Sequence, residues 1–383
     1  MLIKLLRAFF RKSFWIFPKP KRNFVIDRAG TEELFVSGVI DRGETLIVDL
    51  DNLEWLNIFV IGYGLFTKPT LLIKDKFCFI FSTYIKLVKP KNVLTWMDYI
   101  VSFYRLKNYY KDAMYISIQT GRRSIEPGQF FDQLEKLNDK TLKCDYIFCY
   151  GSAHAKEYES HINCKAFPEG SIRNNLVNIS KSKKRKEILF ISQFRKDKGE
   201  TFVKYYENKG ISHEVFYRPE KLLFEMLGPY CEKNKIKLNI VSAMKSAQEE
   251  EKIFYNTLLG DVEYNFISHE SFKSGYHALD NFEYNICINS TLGYEAIGRT
   301  AKVIFFDARN SFLGIPFDLF GWPFVLPEKG DFWTNEVNTS EFERLMNFLL
   351  HGSDDDWDEV LKKMSPILMN YNYKSPRLAE VLK

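Results

Sequence analysis

Short apolar runs alternate with segments of helical periodicity along most of this chain. Four- to six-residue runs bounded by polar or turn-forming residues indicate strands, and the longer segments between them indicate helices. This alternation is typical of a parallel sheet covered by helices. In the first part of the chain the predicted strands are Asn23–Asp27, Thr45–Asp49, Asn92–Trp96, Met114–Ile118 and Asp145–Tyr150.

A second block with the same alternation follows a polar, basic stretch at residues 178–186, which we interpret as an interdomain linker. Its predicted strands are Ile188–Ser192, Lys237–Ser242, Glu263–Ile267, Tyr284–Ile288 and Lys302–Phe306. Segments with helical spacing lie between or after the strands of both blocks. They are Ser102–Tyr110 and Gln129–Asn138 in the first block, and Lys221–Asn234, Ala247–Leu259, Thr291–Gly298 and Ser340–Leu350 in the second.

The two blocks predict an α/β protein of two Rossmann-like domains that face each other across a cleft, the GT-B arrangement. The tail is predicted to be helical, broken at Pro366 and Pro376, and to return to the first domain. The predicted segments are an amphipathic helix at 1–20, an N-terminal Rossmann-like domain at 21–177, the linker at 178–186, a C-terminal Rossmann-like domain at 187–356 and C-terminal helices at 357–383.

The first twenty residues combine apolar and basic positions at helical spacing. Lys4, Arg7, Arg11 and Lys12 interrupt the apolar run, so no segment is long and apolar enough to span a bilayer. A basic amphipathic helix lies in the headgroup plane of an anionic membrane, although it can also pack on the protein's own body. We expect a peripheral protein on the inner face of the cytoplasmic membrane.

Composition narrows the function classes. The 54 basic and 49 acidic residues leave a net charge of +5, which is too small to indicate nucleic-acid binding. The six cysteines are scattered without zinc-ligand spacing, as free thiols in a reducing compartment would be. Asp49 and Asp51 form an Asp-x-Asp triplet, but Asp51 is more simply explained as the cap of a helix over Leu53–Gly62. We therefore expect no metal and no other cofactor.

The sharpest candidate site is the segment from Asn289 to Ala296, which lies between two predicted strands. Ser290 is a good N-cap, so the free N–H groups of the following helix suit an anion. Glu295 is about one turn further along, where a carboxylate suits the two hydroxyls of a ribose. The alternative is an ordinary capped helix with Glu295 in solvent. The nucleotide interpretation makes Ser290, Thr291, Gly293 and Glu295 donor-binding residues.

The stretch NSTLGYEAIGRTAKVIFF resembles the donor-nucleotide segment of bacterial surface-polysaccharide glycosyltransferases with the GT-B fold. The stretches NFVIDRAGTEEL, YISIQTGRR, DYIFCYGSAHAKEY, FPEGSIRNN and ILFISQFR occur in the order expected for surface carbohydrate biosynthesis proteins. The resemblance implies transfer of a sugar from a nucleotide donor to a glycan or lipid-linked acceptor. Some relatives use CMP-activated acidic sugars such as Kdo or nonulosonic acids.

Such a transfer needs a carboxylate in the N-terminal half of the cleft, as a base for an inverting reaction or to stabilise the sugar cation in a retaining one. Asp98 and Glu32 rank first because they follow predicted strands, and Asp27 and Glu33 come next. For each of these residues the alternative is a helix cap or a surface carboxylate.

Polar residues after other strands complete the predicted site. Arginines there suit a phosphate or a sugar carboxylate, and a histidine suits the donor phosphate or the leaving group. The further donor-binding candidates are Ser192, Gln193, Arg195, His269, Arg173 and Asn174. The acceptor-binding candidates are Gln119, Gly121, Arg122, Arg123 and His154.

Two other functions remain open from the sequence. A nucleotide-sugar 2-epimerase would share the two-domain fold and act on a soluble sugar nucleotide without needing a membrane helix. A non-catalytic glycan-binding protein of an assembly complex would bind without turnover.

Overall fold

A computed structural model describes residues 9–28, 30–50, 53–196, 203–204, 210–313 and 319–383. Two parallel-stranded sheets, each with its own core, divide these residues into an N-terminal and a C-terminal half. The first and last residues of each predicted strand lie within three residues of those of an observed strand. The predicted α/β class with two Rossmann-like units is therefore confirmed.

The N-terminal half is built on a six-stranded, fully parallel sheet of order β2-β1-β3-β4-β5-β6. Most of these strands are short and buried, which is why they appear as continuous apolar runs in the sequence. The strands are β1 (Asn23–Ile26), β2 (Thr45–Val48), β3 (Asn92–Thr95), β4 (Met114–Ile118), β5 (Lys143–Cys149) and β6 (Asn163–Pro168).

Helices cover both faces of this sheet. A 3₁₀ segment over Val101–Asn108 replaces the predicted helix Ser102–Tyr110, and the helix predicted over Leu53–Gly62 begins at Ile58, where the Asn57 side chain caps it. The helices are α1 (Thr31–Val36), α2 (Ile58–Thr67), α3 (Pro69–Lys74), α4 (Lys76–Val88), α5 (Phe130–Leu137), α6 (Ser152–His161) and α7 (Ile172–Asn175).

The C-terminal half has a seven-stranded sheet of order β11-β10-β7-β12-β13-β15-β14, in which only β14 is antiparallel. A separate antiparallel pair is formed by β8 (Val203–Lys204) and β9 (Gly210–Ile211). The remaining strands are β7 (Arg185–Ile191), β10 (Leu238–Val241), β11 (Tyr264–Ile267), β12 (Phe282–Cys287), β13 (Val303–Phe306), β14 (Lys329–Gly330) and β15 (Trp333–Thr334).

The helices predicted in this half lie close to observed ones, whereas α8, α11 and α13 were not predicted. A single 3₁₀ turn, Lys245–Ala247, precedes the helix that was predicted to begin at Ala247. The helices are α8 (His213–Phe216), α9 (Arg218–Asn234), α10 (Gln248–Leu259), α11 (Ser274–Asn281), α12 (Thr291–Gly298), α13 (Arg309–Leu313), α14 (Thr339–His351), α15 (Asp354–Leu368) and α16 (Pro376–Leu382).

The tail crosses from the C-terminal half to the N-terminal half. Pro366 lies inside α15 rather than breaking it, whereas Pro376 begins α16. Leu378 and Leu382 of α16 pack into a core cluster with Leu34 of the N-terminal half. The last helix therefore contributes to the core of the half that the chain left 200 residues earlier.

Arg299 marks the place where the chain passes between the halves. Its guanidinium pairs with Asp280 and donates to Asn174 Oδ1 at 2.8 Å and to the Val177 carbonyl at 3.0 Å. The returning tail meets the same point, because the Tyr371 hydroxyl donates to the Val177 carbonyl at 2.9 Å. We call this contact of the outgoing and returning segments the crossing point.

The predicted N-terminal helix falls partly outside the described residues, which begin at Phe9. The described part contains a short 3₁₀ helix, Lys12–Trp15, followed by extended chain through Pro18 and Pro20. No helix in the ranges given above is both long and apolar enough to cross a membrane.

Candidate functional site

The two halves enclose a cleft of about 830 Å³ at the carboxyl ends of their central strands. Open parallel sheets place ligands at this edge because the loops and helix N-termini converge there. The N-terminal half contributes Glu33, Gly121, Arg122, Arg123, Gln129 and Arg173 to the lining. The lining residues of the C-terminal half include Ser192, Gln193, Arg195, His269, Tyr276, Ser290, Thr291, Glu295 and Arg309.

The N-terminus of α12 faces this cleft, as the sequence predicts. The Ser290 side chain caps the helix by accepting from the Leu292 N–H at 3.3 Å, and Ser290 and Thr291 both line the cleft. Gly293 does not line the cleft, and a Cβ there would lie 2.6 Å from Cys287 Sγ. This glycine lets α12 pack closely on its own sheet.

Glu295 lies on the inner wall of the cleft rather than in bulk solvent. Only 6% of the residue is exposed, and its Oε1 accepts a hydrogen bond from the Tyr276 hydroxyl at 3.0 Å. Burial raises the pKa of this carboxyl, while hydrogen bonds from Ser171 and Tyr276 oppose the rise. The carboxylate also borders a 160 Å³ cavity next to the cleft, so it stands between two spaces that a ligand can fill.

Five arginines from both halves surround the cleft: Arg122, Arg123, Arg173, Arg195 and Arg309. Four of them are predicted candidates, and the fifth, Arg309, was missed. Arg309 is almost fully buried, pairs with Glu220 and donates to Gln193 Oε1 at 2.9 Å. Its position just after β13 is the feature of the sequence that could have identified it as a site residue. An anion in the cleft meets positive charge from both sides.

Two predicted donor residues also form part of the scaffold. The Gln193 side chain joins two strand ends, because its Oε1 accepts from the Asn289 N–H at 2.9 Å and its Nε2 donates to the Asn289 carbonyl. The Ser192 Oγ accepts from the buried Tyr255 hydroxyl at 2.8 Å. Both residues still line the cleft, as do Arg195 and His269.

Asp98, ranked first as a catalytic carboxylate, is not in the cleft. It is fully buried and forms a two-point ion pair with Arg123, and it accepts a further hydrogen bond from the Tyr158 hydroxyl at 2.6 Å. With these contacts its carboxylate is enclosed and has no access to an acceptor hydroxyl. The prediction of a base at Asp98 is wrong, because the residue holds Arg123 in place.

Of the other three candidate carboxylates, only Glu33 lines the cleft. Glu32 points outward and pairs with Arg42, with about half of its side chain exposed. Asp27 accepts from the Arg28 N–H at 2.6 Å and is not part of the lining. Glu33 forms an ion pair with Arg173 across 3.0 Å, and only 12% of its side chain is exposed. The adjacent residues of α1 thus face opposite environments.

Some of the predicted acceptor residues line the cleft and others do not. Gly121, Arg122 and Arg123 line the cleft, whereas Gln119 borders only the 160 Å³ cavity, where its Oε1 accepts from the Tyr150 N–H. His154 is fully buried between aromatic rings, and burial lowers the pKa of its imidazole to about 3. It is a core residue and lines neither the cleft nor the adjacent cavity.

Asn174 is also buried. Its Oδ1 accepts a hydrogen bond from Arg299 at the crossing point, so this residue belongs to the joint between the halves rather than to the cleft.

Tyr276 was missed as a site residue because a tyrosine in an ordinary helical pattern gives no signal in one sequence. Within the described ranges no group of three or more His, Cys, Asp or Glu residues is arranged to hold a metal ion. Asp51 of the Asp-x-Asp triplet lies outside those ranges.

Residues 116–383 match the protein family described as "putative O-antigen biosynthesis protein". The chain belongs to this O-antigen biosynthesis family. No curated protein sequence matches it.

Solved structures with the same two-domain fold are distant in sequence. S. aureus MnaA, in a co-structure with UDP, has 15% identity, a TM-score of 0.52 and coverage of 94% of both chains. The UDP-GlcNAc 2-epimerase from Neisseria meningitidis bound to UDP-GlcNAc has 12% identity and a TM-score of 0.51, covering 94% of this chain and 98% of the other. The wall teichoic acid polymerase TagF has 10% identity and a TM-score of 0.50, covering 99% and 92%. The chain has the GT-B fold.

Proposed function

We propose that this protein is a glycosyltransferase of surface polysaccharide biosynthesis, which transfers a sugar from a nucleotide donor to a glycan or lipid-linked acceptor. Membership of the O-antigen biosynthesis family supports the biological role. The observation that carries the proposal is the 830 Å³ cleft, where a capped helix end, Glu295 and five arginines converge from both halves. This set of groups matches the parts of a nucleotide sugar.

The donor would bind mainly to the C-terminal half. Its phosphate oxygens would meet the N-terminus of α12 at Thr291 together with Arg195, and its ribose hydroxyls would donate to Glu295. The structures of MnaA and of the N. meningitidis epimerase were determined with UDP and UDP-GlcNAc, which supports a nucleotide in a cleft of this type. A CMP-linked acidic sugar is the donor that the sequence resemblance suggests, and its carboxylate would pair with Arg122 or Arg123.

Glu33 is the candidate base for an inverting reaction. Its carboxylate would take the proton of the acceptor hydroxyl, while the acceptor oxygen bonds to the anomeric carbon and the nucleotide phosphate leaves with the bonding electrons. Arg173, which pairs with Glu33, holds this carboxylate in position. The arginines would neutralise the leaving phosphate, so we propose a reaction without a metal.

A nucleotide-sugar 2-epimerase is the second candidate, because the N. meningitidis neighbour named above is such an enzyme and covers 94% of this chain in fold. The two functions differ in what they require. Transfer consumes an acceptor and releases the nucleotide, whereas epimerisation of the donor needs no acceptor. A non-catalytic glycan-binding protein would do neither.

We also propose that the protein works on the inner face of the cytoplasmic membrane and contacts anionic lipid through residues 1–20. The basic and apolar residues of this segment support that placement. A lipid-linked acceptor would then be available at the surface on which the enzyme lies.

Calorimetry of the full chain with CMP, UDP and GDP tests the donor site. We expect one nucleotide to bind, and Glu295→Gln to weaken its binding at least tenfold, because the amide is a weaker acceptor for the ribose hydroxyls. Glu225→Gln, an exposed glutamate on α9 outside the cleft, is the matched control and should bind as the wild type does. The donor proposal fails if no nucleotide binds the wild-type protein.

The nucleotide that binds then directs the assay for activity. Its sugar conjugates are incubated with and without membrane extract as the source of acceptor, and products are followed by NMR. Nucleotide release that depends on the extract supports transfer. Conversion of the sugar without the extract supports the epimerase, and binding without turnover in either case supports the non-catalytic protein.

A further inference from the structure

Helix α2 is apolar on its outward side as well as on its buried side. Its sequence, IFVIGYGLFT, contains no charged residue, yet only Val60 and Gly64 are buried in the N-terminal half. An outward stripe of Ile58, Leu65 and Phe66 is exposed at helical spacing, and Phe66 is 88% exposed. A helix that is apolar all round is normally enclosed by protein or lipid.

Two neighbouring segments extend this apolar surface. Helix α3 follows α2 directly and exposes 87% of Ile73. The N-terminal segment is fixed beside α2, because the Asn57 side chain donates to the Ser13 carbonyl at 2.7 Å and to the Ile16 carbonyl at 2.8 Å. The rings of Phe17 and Phe59 are 5.7 Å apart.

We define the aromatic face as the exposed side chains of residues 9–17, α2 and α3. Its exposed large apolar residues are Phe9, Phe10, Trp15, Ile16, Phe17, Ile58, Phe59, Leu65, Phe66 and Ile73. Such a contiguous apolar surface costs free energy in water and marks an interaction site. Elsewhere among the described residues, exposed large apolar residues occur singly, as Val36 does, or as a short pair, as Phe324 and Val325 do.

The segments that form this face carry charges of one sign. Residues 9–22 and 55–74 contain no aspartate or glutamate, whereas Lys12, Lys19 and Lys74 are exposed there. Basic residues beside exposed aromatic rings fit the headgroups and the upper acyl region of an anionic bilayer. A second copy of this chain is a poor occupant, because a two-fold contact would bring the lysines of both copies together.

We propose that the aromatic face is a membrane-docking surface on which α2 and α3 insert their apolar side chains into the headgroup region of an anionic bilayer. The inference deepens the proposed peripheral role, in which only residues 1–20 contact lipid, and rests on it for its biological setting. Binding is bipartite, so the N-terminal segment alone does not account for it. Because α2 follows the carboxyl end of β2, the surface begins on the side of the sheet where the cleft lies.

Co-sedimentation of the full chain with vesicles tests this proposal. The vesicles contain phosphatidylglycerol and phosphatidylcholine, or phosphatidylcholine alone. We expect the wild-type protein to prefer the anionic vesicles and to lose this preference at high salt. The double variant Phe66→Gln/Ile73→Gln should bind them at least tenfold more weakly, although residues 1–20 are unchanged.

Val36→Gln/Val325→Gln is the matched control, because these valines are 75% and 77% exposed and lie outside the aromatic face. It should bind vesicles as the wild type does, and all variants should give the same thermal unfolding midpoint because the four positions are exposed. The proposal is overturned if the wild-type protein ignores anionic vesicles, as it would if the face served a protein partner. It is also overturned if the α2/α3 variant binds as tightly as the control. Nucleotide calorimetry on the same variants keeps a failure of this proposal separate from a failure of the donor site.

Discussion

Arg123 donates two hydrogen bonds to Asp98, from Nε to Oδ2 at 2.5 Å and from Nη2 to Oδ1 at 2.6 Å. The carboxylate is fully buried beneath the cleft, and the guanidinium reaches the cleft wall. A planar two-point pair fixes the direction of the arginine as well as its position. Asp98 therefore orients a cleft residue from below without touching the ligand.

This pair predicts a loss of stability rather than a specific loss of catalysis in Asp98→Ala. Removing one partner leaves the buried Arg123 charge without compensation, which typically costs about 3–5 kcal/mol. Urea unfolding followed by circular dichroism measures the difference. The exposed pair of Glu32 with Arg42 provides the contrast, since Glu32→Gln should leave the unfolding midpoint unchanged. Equal losses of stability in Asp98→Ala and Glu32→Gln would contradict a structural role for the Asp98–Arg123 pair.

Glu33→Gln should abolish sugar transfer while leaving the protein folded. General-base catalysis contributes about 10²–10⁴ in rate, so we expect kcat to fall by at least about a hundredfold. The affinity for the free nucleotide should stay within about twofold, because its phosphate and ribose are proposed to contact the C-terminal half. Steady-state kinetics and calorimetry measure the two quantities.

Glu32→Gln is the natural control for that experiment, because it makes the same chemical change one residue away on the solvent side of α1. It should retain full activity. Full activity in Glu33→Gln would exclude Glu33 as the base, and an equal loss in both variants would point to the helix rather than to the carboxylate.

His154 should make the protein sensitive to acid. Burial lowers the pKa of its imidazole to about 3 in the folded protein, whereas the ordinary value is 6.5. Between these values the unfolded chain takes up a proton that the folded protein excludes, so stability falls as the pH drops below about 6.5. His154→Phe keeps the aromatic contacts and should remove about 1.4 kcal/mol of this loss per pH unit between pH 6 and 4. Parallel stability curves for the two proteins in urea would refute this.

Asp307 should make the protein less stable as the pH rises, whereas His154 makes it less stable as the pH falls. Burial raises the pKa of its carboxyl from 3.8 to about 8, although Arg122 and Arg309 oppose the rise. Between about pH 4 and pH 8 the folded protein keeps a proton that the unfolded chain has lost, so this residue reduces stability as the pH increases. Asp307→Asn should therefore gain stability relative to the wild type from pH 5 to pH 8. Urea titrations across this range measure it, and a constant difference would exclude the raised pKa.

Gly151 allows the tail to cross the N-terminal half at short distance. A Cβ at this position would lie 2.2 Å from the Ile367 carbonyl oxygen, so Gly151→Ala must displace the end of α15. We expect the unfolding free energy to fall by about 1–3 kcal/mol, as for other overpacked contacts. Gly62→Ala on α2, where the added methyl group meets nothing within 4 Å, is the matched control. An unchanged midpoint in Gly151→Ala would show that the tail is not tightly seated.

The sequence predicts the strands well because buried parallel strands are short, continuous apolar runs. The edge strand β6 escapes this signal, since Asn163–Pro168 is polar at its start and half exposed. The start of α2 was placed too early because both Asp51 and Asn57 are plausible caps, and local sequence does not decide between them.

The candidate site shows a different limit. Positions after strands are predictable, which is why Ser290, Thr291 and Arg195 were placed in the cleft. The environment of each side chain depends on residues far along the chain. Asp98 is enclosed by Arg123 and by Tyr158, the latter 60 positions away, and no local pattern around Asp98 contains that information.

The crossing point at Arg299 determines how the two halves can move. Among the described residues, two segments of the chain pass between the halves, and they touch where the Tyr371 hydroxyl meets the Val177 carbonyl. Two adjacent connections form a single pivot, so a rotation of one half relative to the other would turn about this point. Because displacement grows with distance from a pivot, a small rotation there opens the far end of the cleft widely while the contacts around Arg299 hardly change.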